Sequence, residues 1–185
     1  MNPFWTLFLD RDGVINTELT GDYVKSWDEF QFEENALDAL EVLHQFFAKM
    51  VIVTNQRGVG AGIMSREDLD GIHDKMLTEM TKRGIRIDAI YAVTDADRNS
   101  SRRKPNPYMG LLAKEEFPDI DLGKSLIAGN SKSDMEFGKR LGIKTAFIDD
   151  KKAFMESEKV DFADYKAESL FDLAGQLQSG RIKLY

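Results

Sequence analysis

Asp10 and Asp12 stand two residues apart at the end of the apolar run "WTLFL" (5–9), with Arg11 between them and Gly13 behind. Carboxylates so close repel each other, and each loses hydration where a core begins. Something cationic must offset that cost, and a metal ion is the obvious candidate. The other apolar runs end in residues of complementary chemistry. "MVIVTN" (50–55) leads through Thr54 and Asn55 to Gln56, and the stretch after "DAIYAV" (88–93) carries Arg103 and Lys104 in "RRKPNP". "SLIAGN" (125–130) ends at Asn130, with Asp134 four residues on. Hard oxygen ligands suit Mg²⁺, which takes one or two carboxylates plus substrate phosphate. A carboxylate beside such an ion can attack phosphorus, while a second acid protonates the leaving oxygen and then deprotonates water. The Thr54 hydroxyl and the amides after it can hold phosphate oxygens, and Lys104 can offset phosphoryl charge. The set reads as phosphoryl-transfer chemistry.

Ligands gather outside the carboxyl ends of strands in open parallel sheets, so the strands must be parallel for these groups to meet. Short apolar runs alternate with helical patterns, which implies right-handed crossovers and an α/β fold. The expected architecture is a Rossmann-like three-layer sandwich with a mostly parallel central sheet. Leu37, Leu40, Leu43 and Phe47 predict a helix over 35–49. A second is expected over 65–83, with Ser65 as N-cap and Gly84 near the stop. Others are expected over 107–117, 133–141 and 169–178, with strands at 125–130 and 144–149 and a weak one at "DFA" (161–163). The irregular stretch over 11–32 is too long to be slack and is expected to form a flap over the site. A substrate loop is expected at 95–106, all within a single domain over 1–185.

The 185 residues suffice for one sizeable core. A net charge of −7 argues against broad binding of nucleic acid or an anionic membrane but leaves room for a small local basic site, and the phosphoryl-transfer set makes a small phosphorylated molecule the expected partner. The chain has no cysteine, hence neither disulfide nor thiolate metal site. No charged segment precedes the first apolar run, as a signal peptide requires, and no run approaches a membrane span. A cytoplasmic protein is expected.

"FLDRDGVIN", "VTNQRGVG", "RRKPNP" and "AGNSKSDMEFGKRLGI" resemble the four ordered motifs of haloacid-dehalogenase (HAD) superfamily phosphatases, in particular the histidinol-phosphate and heptose-bisphosphate phosphatase branch. The resemblance covers residues 5–148 and implies a HAD-like fold with little or no cap domain. It implies Asp10 as nucleophile and Asp12 as general acid/base, with Thr54 and Lys104 on the phosphate. Mg²⁺ is then expected on Asp10, the Asp12 backbone carbonyl and Asn130. Asn55, Gln56 and Arg103 match positions that contact substrate. The implied substrate is a sugar phosphate such as D-glycero-D-manno-heptose 1,7-bisphosphate, with histidinol phosphate as the alternative.

Two departures stand out. The family's fourth motif reads G-D-x-x-x-D, whereas this chain has Gly129-Asn130. An asparagine carbonyl still ligates Mg²⁺ but removes one negative charge, with Asp134 available to help through water. The alternative is a catalytically impaired phosphate-binding or regulatory protein. The branch commonly carries a Cys/His zinc loop before R-K-P. Here "TDADRNSSRRKP" has neither residue, so no zinc is expected. The basic residues Arg98 and Arg102 read either as a solvated loop or as a clamp for a second anionic group. The acids Glu18, Asp22, Asp28 and Glu29 of the flap could instead serve a cationic substrate. His44 and His73 lie on helical patterns and read as structural. Phosphorylation of Asp95, as in a receiver domain, is a third reading that the order of the motifs disfavours.

Overall fold

The computed structural model describes residues 4–149, 160 and 162–184. Six strands form one sheet: β1 (Trp5–Leu9), β2 (Phe47–Asn55), β3 (Ala89–Val93), β4 (Ser125–Gly129), β5 (Lys144–Ile148) and β6 (Tyr165–Ala167). Their order is β3-β2-β1-β4-β5-β6, and every neighbouring pair is parallel. The order reverses direction at β1 and β4, the place where open α/β sheets bind ligands.

Each strand side chain follows the period of two. Leu7, Leu9, Met50, Ile52, Leu126 and Ala128 face one layer, where they pack with α1 (Ala36–Leu43), α3 (Arg66–Lys82) and α6 (Leu170–Gln178). Phe8, Val51, Val53 and Ile127 face the other, against α4 (Tyr108–Glu116) and α5 (Lys132–Leu141). Helices on both faces explain why β1 and β4 are apolar without alternation. This is the expected three-layer α/β sandwich.

The caps follow the sequence. Ser65 and Ser131 each form a capping box, closed by Asp68 and Asp134 three residues on. Ser169 caps α6 through the Asp172 amide. Two boundaries differ from expectation. The helix predicted over 35–49 ends at Leu43, and β2 begins at Phe47. Phe47 stands at helical spacing from Leu43, yet it pairs with Trp5 in the sheet and is buried while Ala48 is exposed, a strand's alternation. The last strand is Tyr165–Ala167 rather than 161–163. Asp161 lies outside the described residues. The Asp164 carboxylate accepts the Thr145 backbone N–H and hydroxyl, both at 2.9 Å, and this clasp sets where the ladder to β5 begins.

The stretch between β1 and α1 carries one 3-10 turn (Trp27–Glu29) and two isolated bridges, Asp12 with Asn16 and Asn16 with Phe32. It is ordered by its own aromatic knot. Trp27 stacks on Phe30 at 4.9 Å, and Phe32 meets both rings edge-on. The one-turn α2 (Arg57–Gly60) then follows β2 and carries Gly58, over which the Tyr23 ring lies.

Candidate active site

The strand ends bring Asp10, Asp12, Thr54, Asn55, Gln56, Lys104 and Asn130 to one cleft of about 260 Å³, and the 11–32 stretch adds Glu18 and Tyr23 to its wall. A slightly larger hollow of about 290 Å³ lies behind Gly13, but Glu33, Glu34 and Glu168 line it and disfavour an anionic ligand.

At the base of the cleft, Lys104 is buried and its Nζ stands 2.8 Å from Asp10 Oδ1, 2.6 Å from Asp134 Oδ1 and 2.8 Å from the Val53 carbonyl. Two carboxylates thus share one ammonium, leaving one negative charge in excess. The excess falls on Asp10. Burial and the Asp134 charge outweigh Lys104 and push its pKa up to about 7. The same pair of acids raises Lys104 against the effect of its burial, so the lysine stays charged. A cation at Asp10 would relieve this excess. The donor set around it consists of hard oxygens: Asp10, the Asp12 backbone carbonyl and the Asn130 amide. These residues fit Mg²⁺.

Asp12 is held differently. Oδ1 accepts from Arg11 Nη2 at 2.8 Å and Asn16 Nδ2 at 3.0 Å, and Oδ2 accepts from Gln56 Nε2 at 2.7 Å. Burial alone would raise its pKa, but the Arg11 charge and these donors reverse the effect and hold it below the usual carboxylate value. Arg11 is only 1% exposed, and its Nη1 lies 3.1 Å from His73 Nε2 on α3. For the arginine to donate there, the imidazole must be neutral with its proton on Nδ1. Burial and the Arg11 charge enforce that state, pushing His73 down to about 4. His73 is structural, as expected, though its structure serves Asp12.

This predicts a pH dependence. The unfolded imidazole takes a proton near pH 6.5, the folded one only near pH 4, so stability falls as pH drops through that window. The full loss is about 3 kcal/mol near pH 4. His73→Gln, which keeps an acceptor for Arg11, should remove about one proton from the unfolding linkage between pH 6.5 and 4. Urea unfolding of both proteins across that range checks this. Parallel curves would show that His73 already charges in the fold.

Asn55 and Gln56 bond within the site itself. Asn55 pairs reciprocally with the Lys104 backbone, Oδ1 accepting at 3.0 Å and Nδ2 donating at 3.2 Å. Gln56 Nε2 donates to Thr54 Oγ1 at 2.7 Å as well as to Asp12. Asp134 does not line the cleft. It is fully buried, its Oδ2 closes the Ser131 cap at 2.6 Å, and its Oδ1 faces Lys104. It abuts Gly129, where an added Cβ would come within 2.3 Å of Asp134 Cβ. Asn130 Nδ2 donates to Glu18 Oε2 at 3.1 Å.

Arg103 is half-buried beside the cleft, with Nη1 3.4 Å from the Asp95 carbonyl. Burial holds its pKa down, Tyr23 and Asp95 oppose the effect, and the charges of Arg57 and Arg98 add to it. Arg102 is not among them: it pairs with Asp95, which also accepts from Ser100. That cluster, with Asn106 Nδ2 on the Ser100 carbonyl at 3.2 Å, ties the 95–106 loop together. Sequence reasoning missed that Arg11 and Asn16 hold Asp12 and that His73 backs Arg11. The one available signal was an arginine between two acids.

The family model "Polynucleotide kinase 3 phosphatase" matches residues 7–166. The D-glycero-alpha-D-manno-heptose-1,7-bisphosphate 7-phosphatase of Mycobacterium bovis is 39% identical over 133 residues, 71% of this chain and 70% of its own. The D-glycero-D-manno-heptose-1,7-bisphosphate 7-phosphatase of Chlorobaculum tepidum is 30% identical over 180 residues, 89% of each chain. The D,D-heptose 1,7-bisphosphate phosphatase of B. bronchiseptica, solved with magnesium and phosphate, superposes with a TM-score of 0.84 at 28% identity, covering 95% of this chain and 99% of that one. With motifs, fold and relatives in agreement, the chain belongs to the polynucleotide kinase 3 phosphatase family and to the phosphatase branch of the HAD superfamily.

Proposed function

We propose that the chain hydrolyses a phosphomonoester through an aspartyl-phosphate on Asp10, with Mg²⁺ as cofactor and D-glycero-D-manno-heptose 1,7-bisphosphate as substrate. One observation carries the chemistry: Asp10 stands at the strand ends 2.8 Å from a buried lysine that it must share with Asp134. Asp10, the Asp12 carbonyl and Asn130 would hold the ion, which would neutralise charge on the phosphoryl oxygens. An Asp10 carboxylate oxygen attacks phosphorus, and the bond to the sugar oxygen breaks. Asp12, ionised in the free protein and oriented by Asn16 and Gln56, takes the proton that the substrate's monoanionic phosphate brings and passes it to that oxygen. Water then attacks the acyl phosphate and returns a proton to Asp12, which frees phosphate and restores Asp10. Lys104 and Thr54 face the phosphoryl oxygens throughout.

Two supports favour the bisphosphate: the name shared by the relatives, and Arg57, whose Nη1 donates to the Tyr23 hydroxyl on the cleft wall at 3.3 Å and which feels the charge of Arg103. The flap over 11–32 and the loop over 95–106 then select the substrate, with Asn55, Gln56 and Arg103 at its edge. The acidic balance of the chain supports a small metabolite over a nucleic acid. The test is phosphate release with Mg²⁺ from heptose 1,7-bisphosphate, histidinol phosphate and a 3′-phosphorylated oligonucleotide. The bisphosphate should give the highest kcat/KM, by about tenfold or more. Preference for either other substrate would overturn the assignment. Silence on all three, in folded protein, would favour the second reading that Asn130 raises, a phosphate-binding protein.

A further inference from the structure

We propose that Glu18 supplies the negative charge that Asn130 lacks, so that the amide gives the metal site an oxygen and the glutamate gives it the charge. This rests on the metal-assisted reading above and concerns residues of this chain alone. Asn130 follows the last residue of β4, and its Nδ2 donates to Glu18 Oε2 at 3.1 Å. An amide that spends its N–H end on one partner presents its carbonyl oxygen elsewhere, and that oxygen is the end a hard cation takes. Glu18 lies on the cleft wall with Asp10, Asp12 and Asn130.

The pair is built rather than incidental. Both side chains pack on the backbone of Gly13, one residue beyond Asp12. A Cβ there would lie 1.9 Å from Asn130 Nδ2 and 3.2 Å from Glu18 Oε2. Gly13 also has φ +78°, a left-handed conformation that side chains resist. The backbone on either side of Glu18 is fixed as well, after it by the Asp22 N–H on the Leu19 carbonyl at 3.0 Å. The Thr17 N–H donates to the Gln31 carbonyl at 2.8 Å, the Asn16–Phe32 bridge lies beside it, and the Trp27–Phe30–Phe32 knot anchors the returning strand. Glu18 is therefore held at the asparagine by a folded strap.

Charge counting gives the consequence. Asp10 and Asn130 alone offer a dication one negative charge, and Glu18 makes two. An aspartate at 130 would instead set two carboxylates about 3 Å apart, where like charges repel. Positions 18 and 130 are thus interchangeable as carriers of one charge, and metal affinity depends on where the strap holds Glu18.

The experiment is direct Mn²⁺ binding to the full chain, followed by electron paramagnetic resonance of the free ion, with circular dichroism to show that each variant is folded. Glu18→Gln should weaken Mn²⁺ binding by about tenfold, and adding Asn130→Asp to it should restore most of the affinity. Asp10→Asn places the ion and should weaken binding at least as much. If Glu18→Gln leaves affinity intact while Asp10→Asn lowers it, or if Asn130→Asp fails to rescue, the inference is overturned and the hydrolase reading stands. If Asp10→Asn also leaves binding unchanged, the ion does not sit at this cleft and both readings fall. Should Glu18→Gln fail to fold, Glu18→Asp, which keeps the charge on a shorter stem, should retain affinity to within about threefold. A larger loss than that would show that charge alone is not what Glu18 provides.

Discussion

Asp10→Asn should lower phosphate release by about 10⁴-fold or more while leaving the protein folded and at least as stable as the parent. The activity loss follows from chemistry. An amide oxygen is a poor nucleophile toward phosphorus, and among the described residues no other carboxylate lining the cleft pairs with Lys104 to replace it. The stability follows from the charge excess. Asp10 has its pKa raised from 3.8 to about 7, so the folded protein holds a proton that the unfolded chain releases, and stability falls as pH rises through that interval. Above pH 7 the folded state bears the whole cost of the charge. Asparagine matches the protonated carboxyl in shape and removes that cost, while Lys104 keeps Asp134. The measurement is a pair: phosphate release with Mg²⁺, and thermal unfolding at pH 8. A variant that is folded but retains a tenth or more of the activity would remove Asp10 from the nucleophile's place. A variant that unfolds would show that the charge excess had been misassigned.

Most of the fold was legible because its signals are local. Ser65, Ser131 and Ser169 cap the helices that follow them, and the apolar runs at 5–9 and 125–129 are buried on both sheet faces, so they need no alternation to be seen. The α1–β2 boundary was not legible, because His44-Gln45-Phe46 turns without glycine or proline and Phe47 fits either period. The site was readable as a set of residue types but not as a set of partners. Strand ends showed that Asp10, Thr54, Lys104 and Asn130 would converge. Nothing in the sequence told that Arg11 would be swallowed to hold Asp12 against His73, since arginine is ordinarily a surface residue. Nor did it tell that Asp134 would face inward to Lys104 and its own helix cap, or that Asn130 would find Glu18 across more than a hundred residues. Those pairings depend on tertiary approach.

Lys104→Met should cost about 3–5 kcal/mol of stability and abolish turnover, because it leaves two buried carboxylates without a counter-charge. For a chain of this size that loss corresponds to about 10 °C or more in Tm. Methionine fills much of the same volume, so the loss would reflect charge rather than a cavity. The Val53 carbonyl also loses its donor, a smaller cost. Two further results separate this account from simple misfolding. Without Lys104 the Asp10 pKa should climb above about 7, so the variant should regain stability as pH is lowered toward 5, where Asp10 takes a proton and the repulsion between the two carboxylates is relieved. And Asp134→Asn in the same background should recover a good part of the loss without recovering activity, since it removes the second stranded charge but returns no cation to the phosphoryl group. Calorimetry of the single and double variants between pH 5 and 8 decides it. If the double variant is no more stable than Lys104→Met, the two carboxylates do not share the lysine energetically. The 2.6 and 2.8 Å contacts would then be geometry without coupling.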